Sequence, residues 1–225
     1  MLPGMDGTGE LFEDFLQFYS GAALTLSLPN QGNQSYVSIA KKVSNELPDS
    51  DFVLLVESFS GGLVEHLLDV PQLRGVIFVA SFVSAPNKAM LFLAKCAPKK
   101  LLTFVPGSRV FAKLLFLGGE SGRSEYFKFV KVVRSVSARC LNSRITAMIG
   151  LKRPTVSEID LPCVYIMPNQ DRLVSQRKYN EISTMFVNSR CYRLDGPHFI
   201  LQAKPKKSAE VVKLAMHYIT KRGSG

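Results

Sequence analysis

A serine that follows a buried strand is the first residue of this sequence that could do chemistry. The apolar run FVLLV (52–56) leads directly into ESFSGG (57–62) and then into a predicted helix. A tight turn between a strand and a helix exposes a serine hydroxyl, and the N-terminus of the helix stabilises negative charge that develops there. The pattern therefore predicts a nucleophile within this turn, and its structural alternative is a serine that only caps a helix.

Two serines of this turn compete for the role of nucleophile. The crowded backbone of such a turn favours small residues two positions before and two positions after the nucleophile. Ser60 has Ser58 and Gly62 at those positions, which is the better steric fit, whereas Ser58 has Val56 and Ser60. We nevertheless favour Ser58, because FVLLV then ends where the turn should begin and Phe59 takes the apolar position after the nucleophile. Ser60 stays the alternative.

An aspartate and a histidine further along the chain complete a set of residues for acyl transfer. Asp171 comes shortly after the apolar run CVYIM (163–167), and His198 comes shortly after the last predicted strand. The carboxyl ends of parallel strands lie on one edge of a sheet, so both residues are expected beside Ser58. His198 would accept the serine proton, and Asp171 would fix the histidine tautomer and stabilise the imidazolium.

The glycine-rich loop LPGMDGTG (2–9) supplies a further element of such a site. A loop with Pro-Gly ahead of an apolar residue can turn the backbone amide of Met5 toward the amide of Phe59, and two such donors form an oxyanion hole. A phosphate-binding loop is the competing interpretation, but no Gly-Lys-Ser/Thr follows and no complete strand precedes it. We therefore predict Met5 and Phe59 as the oxyanion-hole backbone donors.

Apolar runs that alternate with helix-like segments indicate the scaffold that positions these residues. Continuous apolar runs are typical of strands buried on both faces. The predicted class is α/β, with a mostly parallel central sheet flanked by helices. The predicted strands are 22–28, 52–56, 75–82, 163–167 and 190–194, and the predicted helices are 35–46, 62–69 and 208–220.

Residues 86–153, called the basic segment below, depart from this alternation. The segment carries fourteen lysines and arginines against two acidic residues, a net charge of +12, and its predicted helices are rich in Leu and Phe. We expect an apolar and positive insertion over the sheet that attracts an anionic partner, such as a carrier protein. A solvated basic face without a partner is equally compatible. Nucleic-acid binding is not expected, because no aromatic-interleaved basic motif is present.

Length and composition bound the remaining possibilities. With 225 residues, 46% of them hydrophobic and 20% charged, the chain has the composition of one globular domain. No apolar run is long enough for a transmembrane segment, and no secretory signal is recognisable. The widely spaced cysteines argue against zinc and favour free thiols in a cytoplasmic protein. We expect no metal and no cofactor, and we assign His66 and His217 to packing or surface positions.

In combination, these motifs resemble the α/β-hydrolase superfamily. LPGMDGTG, ESFSGG, the loop with Asp171 and GPHFILQAKP (196–205) match it in order over essentially the full length. The LPGxDGTG and ESFxG forms are similar to a bacterial branch of serine esterases, and the first is also similar to plastid acyltransferases of the phytyl ester synthase type. The resemblance implies a hydrolase core of residues 1–85 and 154–225, a helical cap (lid) formed by the basic segment, and an acyl-serine intermediate.

The same resemblance predicts a strand that the sequence does not provide. The family's oxyanion loop follows a central strand, yet only Met1 and Leu2 precede Pro3. The strand between the predicted strands 22–28 and 52–56 is therefore expected to be missing. Such a gap would leave backbone groups of the sheet unpaired.

These features lead to one main functional hypothesis and two alternatives. The main hypothesis is a serine hydrolase in which Ser58, Asp171 and His198 cleave a small-molecule or carrier-bound acyl ester. Acyl transfer to an alcohol is the enzymatic alternative. A hydrolase-like protein that binds its ligand without turnover is the non-enzymatic one.

Overall fold

A parallel sheet forms the centre of the molecule. The computed structural model describes residues 1–96, 116–118 and 123–222. In these residues the strands are β1 (Phe52–Glu57), β2 (Leu73–Val79), β3 (Cys163–Pro168) and β4 (Ser189–Leu194). They lie in the order β1-β2-β3-β4, and every neighbouring pair is parallel. The predicted α/β class with a parallel central sheet is confirmed.

Helices cover both faces of this sheet. Alternate residues of β1 point to opposite faces: Leu54 shares a hydrophobic cluster with Ile39 and Leu63, and Leu55 shares another with Phe15 and Val212. Burial on both faces explains why FVLLV is uniformly apolar. The helices are α1 (Glu13–Leu16), α2 (Tyr36–Ser44), α3 (Lys88–Cys96), α4 (Arg123–Ser135), α5 (Ala138–Gly150), α6 (Gln176–Ser183), α7 (Ile200–Ala203) and α8 (Pro205–Arg222), with 3₁₀ helices at Glu10–Phe12 and Ser58–His66.

The first two residues take the position of the strand that we expected to be missing. The N–H of Leu2 donates to Leu55 O at 2.8 Å, and the carbonyl of Leu2 accepts from Glu57 N at 3.1 Å. On the other side, Met1 O accepts from Leu26 N at 3.0 Å. In the described residues no strand lies on this side of β1, as we expected, but the isolated bridge of Leu2 with Val56 pairs backbone groups at the end of β1.

The predicted strand 22–28 is not a strand in the structure. Its residues form an irregular segment that makes isolated hydrogen bonds, including Leu26 N to Met1 O and Leu28 N to Gly7 O at 2.7 Å. The physical reason is the shortness of its neighbour. A ladder of hydrogen bonds between strands needs several consecutive residues on each strand, and Met1 and Leu2 are only two.

Two other predicted elements differ from the observed ones. The strand predicted at 75–82 spans Leu73–Val79, and the chain leaves the sheet at Ala80, whose φ is +45°. The helix predicted at 62–69 is a 3₁₀ helix that begins earlier, at Ser58, and its two consecutive glycines weaken α-helix formation. Helix α6 was not predicted, because its sequence QRKYNEIS carries few apolar residues.

Helices α3, α4 and α5 belong to the basic segment, whose residues 97–115 and 119–122 lie outside the described residues. Helix α4 contributes Phe129 to a cluster with Leu117 and Phe199. Helix α5 contributes Ile145 and Met148 to the core on one face of the sheet. The division of the chain into a hydrolase core and a cap stays a prediction.

The described helices and thiols bear on two further expectations. In the three described ranges, no helix combines the length and apolar character that crossing a membrane requires. Cys140 and Cys163 are buried free thiols, and Cys191 is a partly buried free thiol. The side chain of Cys96 lies outside the described residues. A cytoplasmic location stays a prediction.

Candidate active site

Ser58 occupies the first position after β1 in a conformation that few residues adopt. Its φ is +49°, and holding a non-glycine residue in this left-handed region costs about 1–3 kcal/mol. The hydroxyl of the buried Ser81 donates to the Ser58 carbonyl at 2.7 Å, which helps to hold the turn. The Ser58 residue itself stays partly accessible. A strained turn that presents a hydroxyl is the geometry of an exposed nucleophile.

Gly61 allows the 3₁₀ helix to pack closely behind Ser58. A Cβ atom at Gly61 would overlap the Ser81 hydroxyl and would lie 2.5 Å from Phe82 O. From the sequence, we expected small residues at positions 56 and 60. Position 56 instead holds Val56, which is completely buried. Close packing of this turn therefore involves Gly61, one residue after the position at which we expected a small residue.

His198 connects Ser58 to Asp171. Its Nε2 lies 2.9 Å from Ser58 Oγ, and its Nδ1 lies 2.8 Å from Asp171 Oδ2. The other carboxylate oxygen accepts the N–H groups of Leu173 and Val174 at 2.8 and 2.9 Å. An ionised carboxylate can only accept, so Nδ1 carries the hydrogen and Nε2 is free to accept from Ser58. The structure thus brings the three predicted residues into one hydrogen-bonded chain.

Ser60 lies in a different environment from Ser58. It is completely buried, and its hydroxyl donates to the carbonyl of Pro3 at 2.5 Å. The serine beside His198 Nε2 is Ser58. Of the two candidate nucleophiles, the geometry favours Ser58. Ser60 instead ties the glycine-rich loop to the turn.

Opposing effects set the proton affinity of His198. Burial lowers the pKa of His198, whereas the charge and hydrogen bond of Asp171 and the charge of Glu57 raise it. The net pKa lies above the ordinary histidine value. The surroundings therefore stabilise an imidazolium once it forms, and the neutral base is available above this raised pKa.

The two predicted oxyanion donors lie close to Ser58. Phe59 follows it directly in the chain. Met5 belongs to a turn in which Gly7 N donates to Gly4 O at 3.0 Å, and a Cβ atom at Gly4 would lie 3.7 Å from Ser58 Cβ. The glycine-rich loop therefore passes the nucleophile at van der Waals distance. The role of the two amides as oxyanion donors stays a prediction.

Glu57 is a titratable group beside the site that the sequence reasoning missed. It is buried at the end of β1, its Oε1 accepts from Gln202 Nε2 at 3.0 Å, and the backbone of Gly4 also donates to its carboxyl group. Burial raises the pKa of Glu57 to about 7; the charge of Asp6 adds to this, and the hydrogen bonds and His198 oppose it. A charged residue at the end of an otherwise apolar strand was the available signal.

Arg144 is a second residue that the sequence reasoning missed. It lies on α5 in the basic segment, where we expected charges to face a partner or solvent. Instead the side chain is completely buried, and its Nη1 donates to Met5 O at 2.8 Å. No feature of the sequence distinguishes Arg144 from the other basic residues of this segment.

An aromatic wall formed by Phe116, Phe129 and Phe199 borders His198. The ring centroids of Phe116 and Phe199 lie 6.3 and 5.5 Å from the imidazole, and Phe116 and Phe199 lie 5.4 Å apart. The Phe199 N–H also donates to Phe116 O at 3.0 Å. The base is therefore shielded from water on this side, and the neighbouring space favours apolar groups.

This arrangement can perform nucleophilic acyl substitution. A serine beside a neutral imidazole that is held by a carboxylate is activated as a nucleophile, and nearby amides can stabilise the oxyanion of a tetrahedral intermediate. As for metals, the described residues contain no group of three or more His, Cys, Asp or Glu side chains that could hold an ion. His66 and His217 are both exposed.

Solved structures of similar architecture span nearly the whole chain. An esterase from Exiguobacterium antarcticum matches with a TM-score of 0.70 at 16% identity, over 98% of this chain and 90% of the esterase. MenH from S. aureus matches with a TM-score of 0.75 at 13% identity, over 98% and 92% of the two chains. An alpha/beta hydrolase fold protein from Chitinophaga pinensis matches with a TM-score of 0.71 at 16% identity, over 96% and 87%.

The sequence alone gives no corresponding match. No protein-family model matches the chain, and no curated protein is significantly similar to it. The three structural similarities cover 96–98% of this chain. The chain therefore has the α/β-hydrolase fold.

Proposed function

We propose that the chain is a serine hydrolase that cleaves a carboxylic ester through an acyl-serine intermediate. The observation that carries this proposal is the hydrogen-bonded chain of Ser58, His198 and Asp171 at a strained turn. The side chains of His198 and Asp171 are 2% and 3% exposed, so the base is held in one orientation toward the serine. A nucleophile, a base and an orienting acid in contact are the parts that acyl transfer requires.

The acylation half of the reaction follows from these contacts. Ser58 Oγ attacks the ester carbonyl carbon while His198 Nε2 accepts its proton, and the amides of Met5 and Phe59 stabilise the oxyanion. The tetrahedral intermediate then collapses, the bond to the leaving oxygen breaks, and His198 returns the proton to the departing alcohol. Asp171 stays ionised and stabilises the imidazolium.

Water completes the cycle in the deacylation half. His198 removes a proton from water as the oxygen attacks the acyl carbon of the ester formed with Ser58. Collapse of the second tetrahedral intermediate breaks the bond to Ser58 Oγ, and His198 returns the proton to this oxygen. The products are a carboxylic acid and the free enzyme, and no electron is gained or lost.

The surroundings of His198 favour an apolar acyl or alkyl group in the substrate. In the aromatic wall, the rings of Phe116 and Phe199 contact the imidazole, and Phe129 packs against both of these rings. Burying an apolar chain against such rings is favourable by about 25 cal/mol per Å² of apolar area. Two of the similar structures are described as an esterase and as an alpha/beta hydrolase fold protein, which supports the same class of reaction.

The charge of the basic segment favours a substrate that carries an anionic group away from the ester. Its net charge is +12, and Lys131 and Arg139 are exposed on α4 and α5. We include in the proposal that the acyl group is attached to an anionic carrier, such as acyl carrier protein. Charge of this kind acts mainly on the rate of encounter, so its contribution should weaken as salt is added.

Turnover of p-nitrophenyl esters with acyl chains of increasing length tests the reaction class. We expect Ser58→Ala to lower kcat by on the order of 10⁴-fold or more. Ser60→Ala, the matched control at the competing serine, should stay within about tenfold of the wild type when both are equally folded. Loss of activity in Ser60→Ala alone would contradict the assignment. A wild type that binds esters without turnover would support the binding-protein alternative.

Product analysis separates hydrolysis from acyl transfer. With an excess of a long-chain alcohol, a hydrolase releases free acid, whereas a transferase forms a new ester.

Comparison of an ester on acyl carrier protein with the same ester free in solution tests the carrier. We expect Lys131→Glu with Arg139→Glu to lower kcat/KM for the carrier-bound ester alone. Lys213→Glu, an exposed charge reversal on α8, is the control.

A further inference from the structure

Arg144 combines a full positive charge with complete burial. The residue lies on α5, and its side chain is among the largest that are fully buried in the described residues. Burial lowers the pKa of Arg144, and the charge of Asp6 opposes this effect. Taking a guanidinium out of water is costly unless its donors are satisfied. The contacts of Arg144 therefore identify what the fold gains from this residue.

The guanidinium connects α5 to three separate points of the loops beside the site. Its Nη1 donates to Met5 O at 2.8 Å, its Nη2 to Pro29 O at 2.9 Å, and its Nε to Gln34 Oε1 at 2.9 Å. The amide nitrogen of Gln34 donates to the carbonyls of residues 31 and 32, so its oxygen is turned toward Arg144. The rigid fork of an arginine suits three acceptors in fixed directions.

Two further contacts of Arg144 involve Gly7 in the glycine-rich loop and the ring of Phe59. Gly7 has a φ of +71°, and a Cβ atom there would overlap the Arg144 guanidinium, so the loop lies directly on this side chain. The guanidinium carbon lies 5.9 Å from the centroid of the Phe59 ring. A cation at this distance from an aromatic ring is attracted to it. Arg144 thus contacts Met5 and Phe59 together.

We propose that Arg144 is a positioning residue that holds the oxyanion hole in its working geometry. It fixes the carbonyl of Met5 and contacts the ring of Phe59, and these are the two residues whose amides are the expected oxyanion donors. The inference rests on the proposed function. It adds that α5, a helix of the basic segment, sets the position of the glycine-rich loop relative to Ser58.

Positioning and ordinary structural support make different kinetic predictions. Oxyanion donors act on the tetrahedral intermediate and hardly on the bound ester. A small displacement of Met5 therefore lowers kcat and leaves KM nearly unchanged. The same displacement also weakens the binding of a trifluoromethyl ketone, an inhibitor that forms a tetrahedral adduct with the serine. Loss of stability alone reduces the amount of active enzyme and leaves the properties of the folded fraction unchanged.

The test compares Arg144→Met and Arg144→Lys with Arg177→Met, a change at an exposed arginine on α6. For Arg144→Met we expect kcat for a p-nitrophenyl ester to fall about 10- to 100-fold, KM to change less than about threefold, and trifluoromethyl ketone affinity to fall in parallel with kcat. Arg144→Lys keeps the charge and one donor nitrogen, so its kcat and inhibitor affinity should lie between those of Arg144→Met and the wild type. Arg177→Met should match the wild type.

Several results would overturn the positioning role. One such result is a kcat of Arg144→Met, per folded molecule, that stays within about threefold of the wild type. Another is a rise in KM by the same factor as the loss of trifluoromethyl ketone affinity. If Arg144→Met does not fold, Arg144→Lys and Gln34→Met decide by the same criteria. An active wild type with unaffected variants overturns this role alone, whereas a folded wild type without turnover overturns the proposed function and this inference together.

Discussion

Replacing Glu57 by glutamine should remove a cost in stability that grows as the pH rises. The folded pKa of Glu57 is about 7, against an ordinary value of 4.5. A carboxyl whose pKa is raised by folding binds its proton more tightly in the folded state. Its contribution to stability is therefore fully present below the ordinary pKa, and it is lost as the pH rises from about 4.5 to about 7.

The magnitude follows from the two pKa values. Each pKa unit corresponds to about 1.36 kcal/mol, so the two values differ by about 3 kcal/mol of unfolding free energy, and about 2.5 kcal/mol of this falls between pH 5 and pH 8. Glutamine keeps an oxygen that can accept from Gln202 and carries no charge at any pH. The free energy of unfolding of Glu57→Gln, relative to the wild type, should therefore rise by about 2.5 kcal/mol between pH 5 and pH 8.

Urea unfolding at pH 5 and pH 8 measures this difference. Glu46→Gln, a change at an exposed residue, should follow the wild type at both pH values. Parallel pH dependence of the wild type and Glu57→Gln, within about 0.5 kcal/mol, would refute the reasoning. The same variant should move the acid limb of kcat/KM to lower pH, because the charge of Glu57 raises the pKa of His198.

Three other substitutions test contacts of the site. Asp171→Asn should lower kcat by on the order of 10⁴-fold through the wrong histidine tautomer, as measured by ester turnover; a loss below about tenfold would speak against this role. Gly61→Ala should lower the free energy of unfolding by about 1–3 kcal/mol through the clash with Phe82 O, and an unchanged urea midpoint would contradict the packing. Tyr165→Phe removes the hydroxyl that bonds Ser81 N at 3.0 Å and Ser81 O at 2.8 Å and should cost about 1–3 kcal/mol; equal unfolding curves would show these bonds to be neutral.

The residues of the site could be predicted because each follows a segment that we predicted from the sequence as a strand. Ser58, Asp171 and His198 are distant in sequence, but the carboxyl ends of β1, β3 and β4 meet at one edge of the sheet. The parallel sheet was predictable for the same reason. Strands buried on both faces leave an uninterrupted apolar pattern that a single sequence reveals.

The parts that could not be predicted depend on contacts between distant segments. The segment formed by Met1 and Leu2 is too short to show any periodicity, so its pairing with β1 leaves no pattern in the sequence. Arg144 is buried because Met5, Pro29 and Gln34 present three acceptors to it, and these residues meet only after folding. Burial of this kind is a property of the tertiary structure, and an arginine in a basic segment carries no sign of it.

Labelling with a fluorophosphonate probe, followed by mass spectrometry of the modified peptide, tests the central claim most directly. The probe reacts with serines activated as nucleophiles, and Ser58 and Ser60 can be distinguished by fragmentation. We expect an adduct on Ser58 in the wild type, no adduct in Ser58→Ala and a strongly slowed reaction in His198→Ala. An adduct on Ser60, or no adduct on folded wild-type protein, would contradict the account.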